Sequence, residues 1–506
     1  MQFYRFRLYF EAELIGERMS SNVKKNIIYQ ILYQILTLIL PIITSPYIAR
    51  VIGAQGLGIY AYSFSVAFYF VLFSMLGLTN YGNRIVAQVR DDRNNLDHVF
   101  SNILWLHVII SLICILLYIL YVVSLKEDQV FAWIQLFYLF SGLLDISWFY
   151  FGIEQFKMTV TRNTIIKVFN VVGVFVFVKS QNDLWIYCLI MSLGYFFSQL
   201  VLWIPLKKYV SIQSPNFREM KVHIKPLLVL FIPAIAVSLY KYMDKIMIGW
   251  LSNKVQLGFY ENAEKIVNIP VTVIQSFGIV LLPKISNLMA NKDRDSTIKY
   301  IELSMRYVMW LAFALAFGLA AVGNVFAPIF WGEEFRISGI LIMGLSFTIP
   351  FITFANILRT QYLIPAEKDS EYVVSVIAGA IINIIINGLL IGKLGAVGAM
   401  IGTIFAEVTV CVIQAIAVRK ELPIFDYLKG CVSPAIFGLC MFLVVYFEKM
   451  IDAKPLIILF IQILTGGFIY LICSVVYFSV TSDPYLSEFK QKINVILKIK
   501  RKIRRG

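Results

Sequence analysis

About fourteen stretches of some 20 mostly apolar residues follow one another along this 506-residue chain, each long enough to cross the ~30 Å hydrocarbon core of a bilayer as a helix. They fall at residues 27–43, 59–79, 99–123, 130–152, 164–179, 185–205, 226–251, 261–283, 300–323, 338–363, 372–392, 396–418, 430–447 and 455–478. A strand reading fails, because the runs are too long and lack the two-residue alternation of a membrane barrel. Only 15% of residues are charged, against roughly 25% in a soluble domain, so most of the surface must face lipid. The expected fold is an all-α integral membrane protein. The six cysteines all lie inside apolar stretches and imply neither a disulfide framework nor a zinc site.

Sorting Lys and Arg by loop gives the orientation, since cytoplasmic loops carry the positive excess. One alternating set of loops and tails holds 33 of the 45 basic residues and the other set holds 8. Both termini are therefore expected to be cytoplasmic, and the net charge of +15 needs no nucleic acid to explain it. The first apolar run begins after residue 26 and lacks a small-residue cleavage site, so it reads as a retained helix. Residues 1–18 precede Met19-Ser-Ser-Asn-Val-Lys-Lys, which reads like a natural start, and they are either an upstream misassigned start or an amphipathic surface segment. At the other end Phe489, Ile493, Ile496 and Ile503 share a helical face among eight cations. That pattern fits a basic helix on an anionic leaflet or a solvated tail that enforces topology.

Leu57-Gly58-Ile59-Tyr60 before the second span recurs as Leu257-Gly258-Phe259-Tyr260 before the eighth, 200 residues on. Six spans separate the copies, so the two blocks would share one orientation. The expected organisation is a cytoplasmic N-terminal segment 1–26, a six-helix bundle 27–205, a cytoplasmic linker 206–225, a second six-helix bundle 226–420, two additional transmembrane helices within 430–478 and a basic cytoplasmic tail 479–506. Two like-oriented bundles around a cavity are a common transporter plan. There is no G-x-x-x-x-G-K-[ST], no H-E-x-x-H and no metal-like histidine group, so no catalytic residue, metal or cofactor is expected. Asp91-Asp92 and Asp293-Arg294-Asp295 sit in short polar loops with no soluble domain to hold a nucleotide, which favours a transporter over an enzyme.

Charges inside spans are costly, so they face a cavity or each other. The seventh span holds Lys241, Asp244 and Lys245, where Asp244 is placed to pair with Lys241 at i,i+3 unless the lysines snorkel to the outer interface. Glu261, Glu264 and Lys265 continue the polar stripe on the eighth span; Arg50 and Arg359 lie near span ends, and Asp145 and Glu407 are isolated acids. Asn383 and Asn387 at i,i+4 suit interhelical hydrogen bonds. Pro41, Pro233, Pro270 and Pro350 are expected to interrupt spans.

Three blocks then carry a resemblance that extends from about residue 22 to 420. Pro41-Ile-Ile-Thr-Ser-Pro46-Tyr47-Ile-Ala-Arg50-Val-Ile-Gly53-Ala-Gln-Gly56-Leu-Gly58-Ile-Tyr60 resembles the opening signature of the polysaccharide repeat-unit (Wzx-type) flippases. Tyr240-Lys-Tyr-Met-Asp244-Lys245-Ile-Met-Ile-Gly249 with Leu257-Gly258-Phe-Tyr260-Glu-Asn-Ala-Glu-Lys265-Ile is similar to the signature opening the second half, and Asn356-Ile-Leu-Arg359-Thr-Gln-Tyr-Leu-Ile-Pro365 to the tenth-span pattern. That family belongs to the multidrug/oligosaccharidyl-lipid/polysaccharide exporter superfamily. The resemblance implies a carrier that turns an undecaprenyl-pyrophosphate-linked oligosaccharide from the inner to the outer leaflet of a bacterial cytoplasmic membrane, for capsule, O-antigen or exopolysaccharide assembly. It implies the lipid-linked glycan, the bilayer and other polysaccharide assembly proteins as partners. Arg50, Lys241, Lys245, Lys265 and Arg359 match as pyrophosphate or cavity cations, and Asp244, Glu261, Glu264 and Asp145 as gating or coupling groups. Two other readings stay open: a flippase for lipid-linked peptidoglycan or teichoic acid precursors and, behind it, a cation-coupled multidrug exporter.

Overall fold

The computed structural model describes residues 21–450 and 452–481, so the extension before Met19 and the segment expected to form a basic tail helix lie outside the described residues. Among the described residues all regular structure is helical. α1 (Ser21–Met75) is two arms broken at Gly53, whose φ of 76° and ψ of 175° no helix accommodates. There follow α2 (Leu78–Val89), α3 (Arg93–Ser124), α4 (Gln129–Ile134), α5 (Leu136–Leu143), α6 (Ser147–Gly152), α7 (Phe156–Phe177) and α8 (Leu184–Trp203). α9 (Phe217–Leu251), α10 (Lys254–Ala290) and α11 (Arg294–Trp331) are long and continuous. α12 (Arg336–Ser346) and α13 (Thr348–Leu358) run into a π-helical turn, Arg359–Leu363. The chain ends on α14 (Asp369–Leu394), α15 (Ala396–Val418), α16 (Ile424–Phe447) and α17 (Pro455–Val480).

Thirteen helical runs among the described residues are long and apolar enough to cross a membrane, and the first of them spans Gly53, so its two arms account for two of the expected fourteen spans. Leu112, Leu116 and Leu120 leave an exposed apolar stripe on α3, and Phe460, Ile463, Leu464 and Phe468 leave another on α17. Only lipid solvates such faces without cost. The chain is an all-α multi-pass membrane protein.

Two compact units divide at Ser238 and Leu239, within α9. The core of the first gathers Phe100, Trp148, Phe149 and Tyr150, and that of the second Met305, Met309, Phe354 and Leu358. α17 is fastened to α11 by Trp310, whose indole N–H donates to Ser474 Oγ at 2.7 Å and whose carbonyl accepts from Tyr470 Oη at 2.7 Å.

The prolines behave differently from expectation. Pro41, Pro233 and Pro270 lie within helices that continue through them, and Pro350 sits in the first turn of α13, where its missing N–H costs nothing. Neighbouring helices tolerate the lost hydrogen bonds. The actual breaks fall at Gly53, at Leu76 and Gly77, at Asp145 and at Phe347.

Candidate functional site

Two helical hairpins build the site in the second unit. α9 turns into α10 at Ser252 and Asn253, whose side chain accepts the Gln256 N–H at 2.9 Å. α14 turns into α15 at Gly395, with φ 57°, and Gln256 Oε1 accepts the Ala396 N–H at 3.1 Å, tying the two turns together. Residues roughly eight positions from each turn then lie at one depth, about 12 Å from it at 1.5 Å per residue. These residues are Asp244, Tyr260, Asn387 and Thr403.

They converge on one carboxylate. Asp244 is 2% exposed. Thr403 Oγ1 donates to its Oδ2 at 2.7 Å and Tyr260 Oη at 3.0 Å, while Asn387 Nδ2 donates to Oδ1 at 2.6 Å. Burying a carboxylate is tolerable only with such donors. Asn387 Nδ2 also reaches Asn383 Oδ1 at 3.1 Å, and Asn387 Oδ1 is buried without a hydrogen-bond partner. A single negative charge ringed by neutral groups, beside an orphaned carboxamide oxygen, can exchange a proton or hold a small monovalent cation through hard oxygen ligands.

One residue on, the helix turns by about 100° and Lys245 faces α10 instead. Its ammonium meets Glu261 at 2.7 Å and Glu264 at 2.9 Å, and Lys265 joins Glu261 at 3.2 Å. Glu261, Glu264 and Lys265 share a face because they stand at i, i+3 and i+4. Two lysines and two glutamates thus form a linear tetrad, Glu264–Lys245–Glu261–Lys265, with the Lys245 side chain only 12% exposed. This rules out snorkelling for Lys245. The expected pairing of Asp244 with Lys241 is also absent: Lys241 is exposed, its ammonium 5.9 Å from the Tyr242 ring centre. Asp244 gains one hydrogen bond each from Tyr260 of α10, Asn387 of α14 and Thr403 of α15, and Lys241, on the exposed side of α9, makes none with it.

The remaining sequence-marked residues lie elsewhere. Arg359 opens the π-helical turn, a feature often found at functional positions. It donates to Asn356 Oδ1 at 2.7 Å, covers the Tyr372 ring at 5.6 Å, and leaves its Nε buried without a partner. Glu407, one turn beyond Thr403 on α15, is buried and within electrostatic reach of both Asp244 and Arg359. Arg50 is exposed in the first unit, and Asp145, also there, caps α6 by accepting the Ser147 N–H at 2.8 Å. Sequence reasoning placed Tyr260 in the repeat and the second-half signature but gave it no role, and did not mark Thr403. Their common distance from the two turns was the available signal.

Gly402 supplies the room for this arrangement. A Cβ there would come within 2.0 Å of Asn387 Oδ1, whereas one at Gly388 meets nothing within 4 Å. Gly402→Ala is expected to push Asn387 off Asp244 and to destabilise the protein by about 1–3 kcal/mol, with Gly388→Ala near neutral. Thermal unfolding of the two purified variants beside the parent checks this.

Comparison with known proteins now places the chain. Residues 23–289 match the family described as polysaccharide biosynthesis protein, more than half of the sequence. The chain belongs to the polysaccharide biosynthesis protein family. A Shigella dysenteriae protein named as an O-antigen transporter is 23% identical over 383 residues, covering 75% of this chain and 96% of that one. A protein of Escherichia coli K12 with the same name is 21% identical over 388 residues, covering 75% and 93%. Among solved structures, the lipid II flippase MurJ in an inward closed conformation superposes with a TM-score of 0.74 at 16% identity, covering 89% of this chain and 99% of that one. The structural likeness establishes a shared fold. The family match and the two O-antigen transporter relatives bear out the resemblance to the Wzx-type flippases.

Proposed function

We propose that this member of the polysaccharide biosynthesis protein family is a flippase for lipid-linked glycans, and more narrowly that it moves undecaprenyl-pyrophosphate-linked repeat units from the inner to the outer leaflet of a bacterial cytoplasmic membrane. Two like-oriented bundles, 27–205 and 226–420, would alternate access around the substrate, with both termini cytoplasmic as the 33 to 8 charge bias supports. The single observation that carries the reading is the set of buried and half-buried charged groups in the second unit: the Lys245 ion pairs, the ringed Asp244 next to them in sequence, and Glu407 within electrostatic reach of both Asp244 and Arg359. Burial this costly persists in a membrane protein where it serves transport.

The geometry redistributes the roles among the candidates. Lys245 and Lys265 are already neutralised by Glu261 and Glu264, so they fit a gate whose ion pairs a pyrophosphate would compete for. Arg359 spends its hydrogen bonds on neutral groups and is the better phosphate partner of the second unit. Lys241 and Arg50, both exposed, fit peripheral contacts to the head group. Asp244 fits the coupling group, taking up a proton or a monovalent cation as the carrier turns over.

Deleting the gene and measuring the sidedness of lipid-linked glycans by mass spectrometry after external labelling tests the reading. Accumulation of inward-facing intermediates is expected. Unchanged amounts and sidedness, in a strain without a second such gene, would overturn it.

A further inference from the structure

The segment between α8 and α9 is a fixed strap laid along α3. Leu206 and Val210 are buried at its start. Beyond them one face of α3 offers side chains to the strap's backbone. Asp97 Oδ1 accepts the Ser211 N–H at 2.9 Å, Ser101 Oγ the Gln213 N–H at 2.8 Å, and Asn102 Oδ1 the Asn216 N–H at 3.0 Å. Trp105 Nε1 donates to the Gln213 carbonyl at 3.1 Å, and Asn102 Nδ2 donates to Glu219 Oε2 at 2.6 Å, which carries the comb into α9. Tyr81 and His223 close the far end through a 2.6 Å hydrogen bond. Every one of these contacts lies in the first unit.

A strap held this way has a fixed outer face, and that face is both basic and apolar. Lys207, Lys208, Arg218, Lys221 and Lys225 are all exposed, and none forms an ion pair among the described residues. Glu219, the one acid between residues 204 and 225, is held by Asn102 and Asn216. Interleaved with the cations are Ile204 at 79%, Phe217 at 66% and Val222 at 70% exposure. Water solvates the cations but not these side chains. α9, at about 1.5 Å per residue, is some 20 Å longer than a ~30 Å hydrocarbon core, so its first turns stand at head-group depth.

We propose that the strap and the first turns of α9 form a binding shelf for anionic phospholipid head groups. The five cations take the phosphates, and Ile204, Phe217 and Val222 enter the acyl boundary beneath them, as in an interfacial basic amphipathic helix. The ligand class is an acidic glycerophospholipid of the bilayer itself, a component distinct from the transported glycan. The hydrogen-bond comb positions the cations without using their charge, so removing the charge leaves the strap in place.

Purified full-length protein in detergent, titrated with phosphatidylglycerol or phosphatidylcholine while thermal unfolding is followed, tests this. The midpoint should rise at roughly tenfold lower concentration of phosphatidylglycerol than of phosphatidylcholine. Changing Lys207, Lys208, Arg218, Lys221 and Lys225 together to Gln should bring the two lipids within about twofold of each other. Changing Lys284, Lys292, Lys299, Arg419 and Lys420 to Gln should keep the preference, which separates a shelf from general attraction to a basic protein. Should the fivefold variant fail to fold, Lys207→Gln with Lys208→Gln should reduce the preference in part. Inorganic phosphate should be without effect. An equal response to the two lipids, an undiminished preference in the strap variants, or an effect of phosphate equal to that of the lipid would overturn the proposal; the first of these would leave the patch to an acidic partner protein.

Discussion

Asp244→Asn should reduce transport by on the order of 100-fold while the protein still inserts and accumulates normally, at the upper end of the coupling free energies that linked sites sustain. The substitution is nearly isosteric, and its surroundings can adapt to it. Thr403 Oγ1 also bonds the Ala399 carbonyl at 3.0 Å, so its hydroxyl proton has a second acceptor and its oxygen can receive the new amide N–H. Asn387 Nδ2 would still find the remaining carbonyl oxygen where it now meets Oδ1 at 2.6 Å. Packing survives and the charge does not. A proton or cation then has nothing to bind, and the cycle stalls in one orientation. Initial transport rates normalised to membrane abundance check this; a rate within twofold of the parent would remove Asp244 from the coupling role.

Lys245→Gln should act on stability first. The substitution leaves Glu261 and Glu264 facing one another beside a neutral side chain, with their carboxylates 13% and 19% exposed. Stripping one partner from a buried ion pair typically costs about 3–5 kcal/mol. Lys265 still reaches Glu261 at 3.2 Å and offsets part of that. The unfolding midpoint in detergent should therefore fall by several degrees. Adding Glu264→Gln should restore most of it by removing the orphaned charge. Lys241→Gln, at an exposed position, should leave the midpoint unchanged. Equal midpoints for Lys245→Gln and the parent would mean that the tetrad contributes no net stability.

The contrast between these two lysines marks how far the sequence could be read. Hydropathy reveals the spans because every spanning backbone must satisfy its own hydrogen bonds in lipid, which forces long apolar helices. The twelfth span is matched at both ends by α15, Ala396–Val418. Contacts inside one helix are legible too, since i,i+3 and i,i+4 neighbours follow from periodicity, as in the Lys265 and Glu261 pair. Asp244 lies beyond that reach. Its partners Asn387 and Thr403 stand 143 and 159 residues away on helices whose packing periodicity does not reveal, so the nearby Lys241 looked like its partner. The breaks were misplaced for a related reason. Proline chemistry predicts a lost hydrogen bond but not whether a neighbouring helix compensates for it, and Gly53 rather than Pro41 opens α1.

Flipping itself is most directly measured with purified protein in liposomes that carry a labelled polyprenyl-pyrophosphate oligosaccharide, scored by an impermeant reagent or glycan-binding protein that reads one leaflet. The parent protein should equilibrate the labelled lipid between leaflets well above the protein-free rate, and the Asp244→Asn protein, incorporated equally, should not. Parent proteoliposomes that leave the glycan lipid in its starting leaflet, with the protein folded and the ion gradient intact, would contradict the assignment of this chain as a flippase.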